Sequence, residues 1–163
     1  MNKRLDNINS LTSSLRLAAL DFDELYSNKN DITPLAAVEI FLEKQLKFRT
    51  EKQNIMRRKR ATLPSEKTLE QFDFGFQRSV TKEQMMRLAD MTWVEQAYNI
   101  CFLGPPGIGK THLATALAVK ALDMGYSAVF TSLDNLMKDL KTELISTQSK
   151  RRLKNIYASA LVI

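Results

Sequence analysis

The chain has 163 residues, 44% of them hydrophobic, and a formal net charge of +6 with an isoelectric point near 9.5. This length suits one compact domain or a small domain with an appendage. The basic excess favours an anionic partner such as nucleic acid, although solubility alone is the plainer explanation. The single cysteine, Cys101, excludes an internal disulfide and suits a reducing, cytoplasmic compartment.

The sequence lacks the features that membrane proteins, secreted proteins and zinc-binding proteins usually show. No apolar run approaches the roughly 18 residues of a membrane-spanning helix, so we expect no membrane association. The N-terminus has Lys3 and Arg4 but no long apolar segment or cleavage site, so we predict no secretory signal. One histidine and no Cys/His cluster argue against a zinc site.

Two helices are predicted ahead of Pro64. Residues 3–20 carry apolar side chains at helical spacing, and residues 21–33 are predicted to be a loop. Thr33 as N-cap and Pro34 at the first helical position predict a second helix over 34–60. The apolar face of the first helix consists of Leu5, Ile8, Leu11, Leu15, Ala18 and Ala19. The second helix places five apolar residues mostly on one side, namely Leu35, Val38, Leu42, Leu46 and Phe48.

The second half of the longer helix is strongly basic. Its cations would neutralise DNA phosphates without reading base sequence, while a solvated helix face remains an equal alternative. The candidate DNA contacts are Lys52, Arg57, Arg58, Lys59 and Arg60. A weaker basic cluster follows at Lys150, Arg151, Arg152 and Lys154. Residues 1–65 are thus predicted to form a small basic helical domain.

A connector and a third helix come next. Residues 61–79 form the connector, in which core packing is the favoured role of the phenylalanines at 72 and 74. Residues 81–84 fit a capping box and predict a helix over 81–97. The inner stripe of that helix consists of Met85, Leu88, Ala89 and Trp93.

From residue 66 to 163, helices alternate with short apolar strands. This pattern predicts an α/β fold in which crossover helices connect a parallel sheet. Gly125 is expected to end a helix as a C′ glycine, and Cys101 is expected to be buried in the first strand. The predicted strands are 99–103, 127–131 and 160–163, and the predicted helices run to 124, over 133–145 and over 150–158.

A phosphate-binding P-loop motif, G-x-x-x-x-G-K-[ST], lies between the first strand and its helix. Glycines let the backbone approach oxygen atoms, and successive N–H groups form a concave anion nest at the helix N-terminus. Lys110 would contact the β- and γ-phosphates, and the Thr111 hydroxyl would bind Mg²⁺. The alternative is a glycine-rich turn without a ligand. The candidate nucleotide-binding residues are Gly104, Pro105, Pro106, Gly107, Ile108, Gly109, Lys110, Thr111 and His112.

Other titratable residues near the P-loop have plainer explanations. His112 follows Thr111 in the first helical turn, where a packed or half-exposed position is favoured over a phosphate contact. Asp134 is interpreted as part of a helix start and Asp139 as part of a solvated face. We therefore assign no catalytic residue from the sequence.

These features together resemble the IstB family, the ATP-binding helper proteins of bacterial transposases, and more distantly the DnaC-like helicase loaders. The matching segments are Leu-Glu-Gln-Phe-Asp-Phe at 69–74, the stretch at 88–95 and the P-loop region at 99–114. The resemblance implies an AAA+ ATPase fold, ATP and Mg²⁺ as cofactors, DNA and a transposase as partners, and homo-oligomers of the full-length protein on DNA. It also implies that residues 72–74 pass near the adenine.

The end of the sequence departs from that family pattern. The family's third strand ends in an acidic pair that helps to hold Mg²⁺ and activate water, and no such pair follows residues 160–163. A γ-phosphate sensor and an arginine finger are also missing. We interpret the chain as a truncated copy with an incomplete sheet and expect poor or absent ATP hydrolysis. The AAA+ strand between the first and third strands would be absent, leaving sheet edges unpaired.

Three further functions stay open beside a transposition helper. The first is a helicase loader of the DnaC type. The second is a DNA or protein adaptor that acts independently of nucleotide. The third is a small P-loop kinase, which the basic helical domain disfavours.

Overall fold

The computed structural model describes residues 3–18, 33–76 and 79–163. Its contacts divide the chain into two compact units, Met1–Gln53 and Asn54–Ile163. The sequence-predicted boundary at residue 65 lies further along the chain. No helix in the described ranges combines the length and the apolar character needed to cross a membrane.

The first unit consists of helix α1 (Lys3–Ser14) and most of helix α2 (Pro34–Ala61). The predicted start of α2 is confirmed, because the Ala36 N–H donates to Thr33 Oγ1 at 3.3 Å. The buried Gln45 side chain accepts from the Ala18 N–H at 2.7 Å and donates to the Ala18 carbonyl at 3.1 Å. This amide therefore ties the chain after α1 to the middle of α2.

The apolar face predicted for the first helix is confirmed only in part, at the half-buried Ile8 and Ala18. Leu11 and Leu15 are exposed, while Thr12 and Gln45 are buried. The periodicity identifies a face but not the partner that covers it. The predictions about the Leu5 side chain, Ala19 and the loop over 21–32 lie outside the described residues. The apolar residues that the sequence places mostly on one side of α2 are exposed, at Leu35, Val38, Leu42, Leu46 and Phe48.

The second unit is mostly helical and contains a small parallel sheet. After the last turns of α2 come a 3-10 helix (Leu69–Gln71), α3 (Lys82–Leu88), α4 (Thr92–Glu95), α5 (Lys110–Asp123), β1 (Ala128–Val129), α6 (Leu133–Thr142), α7 (Thr147–Tyr157) and β2 (Leu161–Val162). In the sheet, β1 and β2 pair in parallel, with Ala128 opposite Leu161 and Val129 opposite Val162. Helices α6 and α7 form the crossover between the strands, as predicted for an α/β arrangement.

The core of the second unit surrounds α5. This helix buries most of its side chains, including Leu113, Leu117 and Leu122, against Met85 and Leu161. Its predicted end is confirmed, because Gly125 has a φ of 92° and its N–H donates to Leu122. The Tyr126 N–H donates to Ala121, which completes a Schellman motif. The P-loop helix is thus a fixed central element.

The prediction of a single helix over 81–97 is wrong, because this segment forms two helices, α3 and α4. Its capping box is confirmed, since the Gln84 N–H donates to Thr81 Oγ1 at 3.2 Å. Met91 adopts a left-handed φ of 59° while its side chain is fully buried. The Trp93 indole N–H donates to the Leu88 carbonyl at 2.7 Å across this break. Burial of Met91 therefore overrides a helical pattern that contains no glycine or proline.

The prediction of a strand over 99–103 is also wrong. These residues form no strand, and their backbone makes no hydrogen bond within the described part of the chain. A cavity of about 360 Å³ separates them from β2 and is lined by Ile100, Phe102 and Val162 among others. Without a neighbouring strand, the segment cannot form a ladder. Cys101 is consequently exposed, which contradicts the predicted burial.

Candidate nucleotide-binding site

The P-loop, residues 104–111, joins this irregular segment to α5. Gly107 and Gly109 adopt left-handed φ angles of 83° and 89°, which residues with a Cβ rarely adopt. No atom lies within 4 Å of the position that a Gly107 Cβ would take, so conformation alone requires glycine there. The two glycines therefore turn the backbone towards the N-terminus of α5.

This turn leaves a run of backbone donors available. Among the described residues, no acceptor is bonded to the N–H groups from Gly107 to His112, and the first bonded amide is Leu113, which donates to the Gly109 carbonyl at 3.0 Å. Pro105 and Pro106 have no N–H to contribute. Consecutive free donors at the start of a 14-residue helix form an anion nest, strengthened by the helix dipole.

Lys110 and Thr111 supply the two side chains that the P-loop motif requires. Lys110 Nζ donates to the Pro105 carbonyl at 2.6 Å, so its ammonium group lies across the mouth of the loop. Thr111 is exposed in the first turn of α5. The donor set of the loop therefore fits a polyphosphate, with a hydroxyl available for its Mg²⁺.

Two phenylalanines of the connector pack beside the P-loop. The rings of Phe72 and Phe74 pack edge to face with centroids 4.8 Å apart, and Phe72 lies 5.2 Å from the His112 ring. Both phenylalanines pack against the core, which confirms their predicted role, whereas Phe76 is exposed. The His112 ring contacts the Thr68 carbonyl through Nε2 at 2.9 Å. The carbonyl only accepts, so Nε2 carries the proton.

The described ranges contain no group of His, Cys, Asp or Glu side chains arranged to hold a metal ion. Asp134 is exposed in the first turn of α6, as predicted. Asp139 is buried, which contradicts its predicted place on a solvated face.

The Asp139 carboxylate is satisfied by α7 rather than by solvent. It accepts from Arg152 Nε at 3.0 and 2.8 Å and also from an Nη of the same guanidinium. The hydrogen bonds from Arg152 lower the pKa of Asp139 below its ordinary value. An aspartate that is ionised and bidentately paired in this way is structural and is not positioned to activate water.

The five residues predicted to contact DNA lie in different units and differ in their hydrogen-bond and ion-pair partners. Lys52 is exposed in the first unit, whereas the other four belong to the second unit. Arg57 donates to Asn54 Oδ1 at 2.8 Å, and Arg58 pairs with Asp123 and lies 3.7 Å from Glu66. Arg58 thus helps to dock the end of α2 against α5.

The ends of α2 and α7 come together in the second unit, which the sequence did not predict. Asn155 Nδ2 donates to the Arg60 carbonyl at 3.2 Å. Arg151 lies one turn before Asn155 on the same helix face. The exposed Lys59, Arg60 and Arg151 form no ion pair among the described residues, and we call these three the basic surface. The sequence shows that both helix ends are basic. It does not predict that they lie close together, because this depends on the crossover fold.

Comparisons with known proteins identify relatives of the chain. A family model described as IstB-like ATP binding protein matches residues 11–163. An ATP-binding protein named for insertion sequence IS21 of Pseudomonas aeruginosa is 44% identical over 108 residues, which are 66% of this chain and 41% of that protein.

Two other relatives carry similar names. One, named for insertion sequence IS232 of Bacillus thuringiensis subsp. berliner, is 37% identical over 105 residues, covering 64% of this chain and 42% of the relative. A third relative, from Bacteroides fragilis and named for an IS21-like insertion sequence, is 31% identical over 121 residues. These residues are 74% of this chain and 46% of that relative. The chain therefore spans less than half the length of each of these relatives.

Proposed function

The chain belongs to the family of IstB-like ATP-binding proteins, and on that basis we propose that residues 104–111 bind ATP in a transposition system. The observation that carries the proposal is the run of unbonded N–H groups from Gly107 to His112, with the Lys110 ammonium beside it. A polyphosphate is the kind of anion that such a set of donors would bind. The names of the relatives support ATP and an insertion-sequence context.

The bound triphosphate would carry Mg²⁺, with the Thr111 hydroxyl as the protein's ligand to the ion. Mg²⁺ would neutralise charge on the phosphate oxygens. Lys110 would stabilise the same charge, and the nest would hold the phosphates in place. We further propose that the second unit is part of an AAA+ type ATPase domain, supported by the parallel β1–β2 pair and its helical crossover.

Hydrolysis by this 163-residue chain is proposed to be slow. Positioning of water and stabilisation of transition-state charge account for most catalysis of phosphoryl transfer. Asp139, buried and paired with Arg152, does not offer a carboxylate for the first task. A turnover assay would measure this, and rapid hydrolysis that Lys110→Ala abolishes would contradict the proposal.

DNA is the proposed second ligand. The support is the net charge of +6 and the basic surface of Lys59, Arg60 and Arg151. Such cations would contact phosphates and would not read bases. Arg57 and Arg58 are proposed to contribute less, since Arg57 donates to Asn54 and Arg58 is engaged by Asp123. Lys52, which is exposed in the first unit, is proposed as a separate phosphate contact.

The DNA proposal is tested by replacing Lys59, Arg60 and Arg151 together with Ala. The affinity for duplexes of any sequence should fall by a similar factor, and the slope of log K against log salt should shrink by about 1 for each phosphate that is no longer neutralised. A control that replaces Lys82, Lys138 and Lys141 removes the same charge from other exposed positions. An equal loss of affinity in both variants would reduce the effect to net charge and contradict the proposed surface.

A transposase and further copies of the chain complete the proposed set of partners. The insertion-sequence names of the relatives support a transposition partner. A helicase loader remains the second candidate on the earlier resemblance alone. Nucleotide binding that raises DNA affinity would favour either ATPase over a nucleotide-independent adaptor, and phosphate transfer to a small acceptor would favour a kinase.

A further inference from the structure

Gly109 and Phe72 approach each other more closely than a side chain at position 109 would allow. A Cβ built on Gly109 would lie 2.5 Å from Phe72 Cε2 and 3.3 Å from Cζ. The edge of the Phe72 ring therefore occupies the space beside the backbone of the phosphate cradle. Gly107 has a similar φ but no neighbour of this kind. Of these two glycines, Gly109 is therefore the one that an aromatic ring contacts in the described structure.

The ring of Phe72 is itself held from two sides. Phe74 packs against it at 63° and His112 at 86°, both in edge-to-face geometry. The Nε2–H of His112 donates to the Thr68 carbonyl, so α5 is tied directly to the start of the 3-10 helix that precedes Phe72. These contacts fix the ring on the same rigid helix that begins with the P-loop.

We propose that Phe72 is a positioning residue that holds Gly109, and with it the phosphate cradle, in its binding conformation. Within the described ranges, the N–H groups of the cradle form no bonds that would hold the loop before a ligand arrives. The restraints near Gly109 are the Phe72 ring, the bond from the Leu113 N–H to the Gly109 carbonyl and the bond from Lys110 to Pro105. A loop that is ordered in advance loses less conformational entropy on binding. This inference rests on the proposed binding of ATP.

The proposal differs from a role in recognising the base. A ring that supports the cradle affects every ligand that carries the same phosphates. A ring that contacts adenine affects only ligands that carry the base. Inorganic tripolyphosphate, which has no base or sugar, therefore separates the two roles.

The test uses the full 163-residue chain and titration calorimetry with Mg²⁺ present. Phe72→Leu keeps an apolar side chain but lacks the ring edge that reaches Gly109. We expect it to weaken ATP and tripolyphosphate binding by the same factor, about tenfold. Phe76→Ala is the matched control, since Phe76 is 84% exposed, and should leave both affinities unchanged. Unchanged affinities in Phe72→Leu, or a loss confined to ATP, would overturn the proposal.

A second measurement does not depend on any ligand. The Leu113 amide donates to the Gly109 carbonyl, so its hydrogen exchange reports on the position of Gly109. In nucleotide-free Phe72→Leu, exchange at Leu113 should accelerate about tenfold while the amides of Leu117 and Leu122 stay protected. Phe72→Met, whose unbranched side chain can fill irregular space in a core, replaces the Leu variant if the latter unfolds. Equal acceleration along all of α5 would indicate a merely structural role and overturn the proposal.

These measurements separate failure of this inference from failure of the proposed function. If the wild-type chain binds no ATP, the function proposed above is wrong, while the exchange at Leu113 still tests whether Phe72 positions Gly109. If ATP binds and neither Phe72 variant changes affinity or exchange, the positioning role alone is wrong.

Discussion

Two glycines in the P-loop share a left-handed backbone but differ in what surrounds them. Gly107 faces open space, and Gly109 faces the ring of Phe72. A left-handed conformation costs roughly 1–2 kcal/mol for a residue with a Cβ. At Gly109 the added methyl must also displace an aromatic ring that is packed against Phe74 and His112. The two positions therefore separate backbone strain from steric exclusion.

Replacing each glycine with Ala should give unequal losses of stability. Gly107→Ala should lower the free energy of unfolding by about 1–2 kcal/mol, the strain of a left-handed alanine. Gly109→Ala should lower it by more, because Phe72 must move as well. Urea unfolding of the two variants measures the difference. Equal losses would show that Phe72 yields without cost and contradict the packing described here.

At the level of elements, α6 and α7 are joined by one buried ion pair. Asp139 is 2% exposed and is held bidentately by Arg152, whose side chain is 48% exposed. The Thr142 and Ser149 hydroxyls are 2.8 Å apart nearby. Loss of Asp139 would remove the partner of Arg152, but water could then solvate this half-exposed guanidinium, so the cost should lie between those of an exposed and a fully buried pair. This pair therefore fixes the crossover that connects β1 to β2.

Asp139→Asn should lower the melting temperature by about 5 °C or more at pH 7. Because Arg152 lowers the pKa of Asp139 below its ordinary value of 3.8, the carboxylate stabilises the fold above that value. The stabilisation is lost as the pH falls through the lowered pKa. The difference in melting temperature between wild type and variant should thus be constant from pH 8 to 5 and shrink only in more acidic solution.

The control for this prediction is Asp134→Asn in the same helix, where the carboxylate is exposed. Its effect should be about 2 °C or less, since it loses only a helix-dipole interaction. A shift as large as that of Asp139→Asn would show that loss of any acidic charge from α6 is enough, and that the ion pair is not the cause.

The sequence predicted elements well where local chemistry determines them. The Thr33 cap, the Thr81 capping box and the Gly125 end of α5 follow from short-range hydrogen bonds, and all three are confirmed. The strand over 99–103 required a partner strand, which its own residues cannot specify. The break at Met91 required knowledge of which side chain the core would bury.

In the candidate site, too, local features were predictable from the sequence and long-range contacts were not. The P-loop glycines and Lys110 follow from a motif whose geometry is local, and the structure shows the turn and donors that the motif implies. The Phe72 contact with Gly109 and the bond between Asn155 and Arg60 join residues far apart in sequence. No spacing rule identifies such pairs, because they arise from the packing of the second unit.

For the whole molecule, the P-loop belongs entirely to the unit Asn54–Ile163. A ligand that binds only the folded state stabilises it by about 2.7 kcal/mol at a hundredfold excess over Kd. ATP should therefore slow hydrogen exchange in α5 and in the sheet, and should leave exchange in α1 unchanged. Mass spectrometry of peptides from both units measures this. Equal protection in α1 would show that nucleotide binding is not confined to the second unit.

The most direct test of the account is ATP binding by the wild-type chain, Lys110→Ala and Lys120→Ala, measured by titration calorimetry with Mg²⁺. Lys120 is an exposed lysine of the same helix and controls for loss of charge. If the P-loop binds ATP, wild type and Lys120→Ala should bind it with equal affinity. Lys110→Ala should bind at least about tenfold more weakly, since the phosphates no longer receive a charged hydrogen bond from position 110. Unchanged affinity in Lys110→Ala would contradict the assignment of the P-loop as the ATP site.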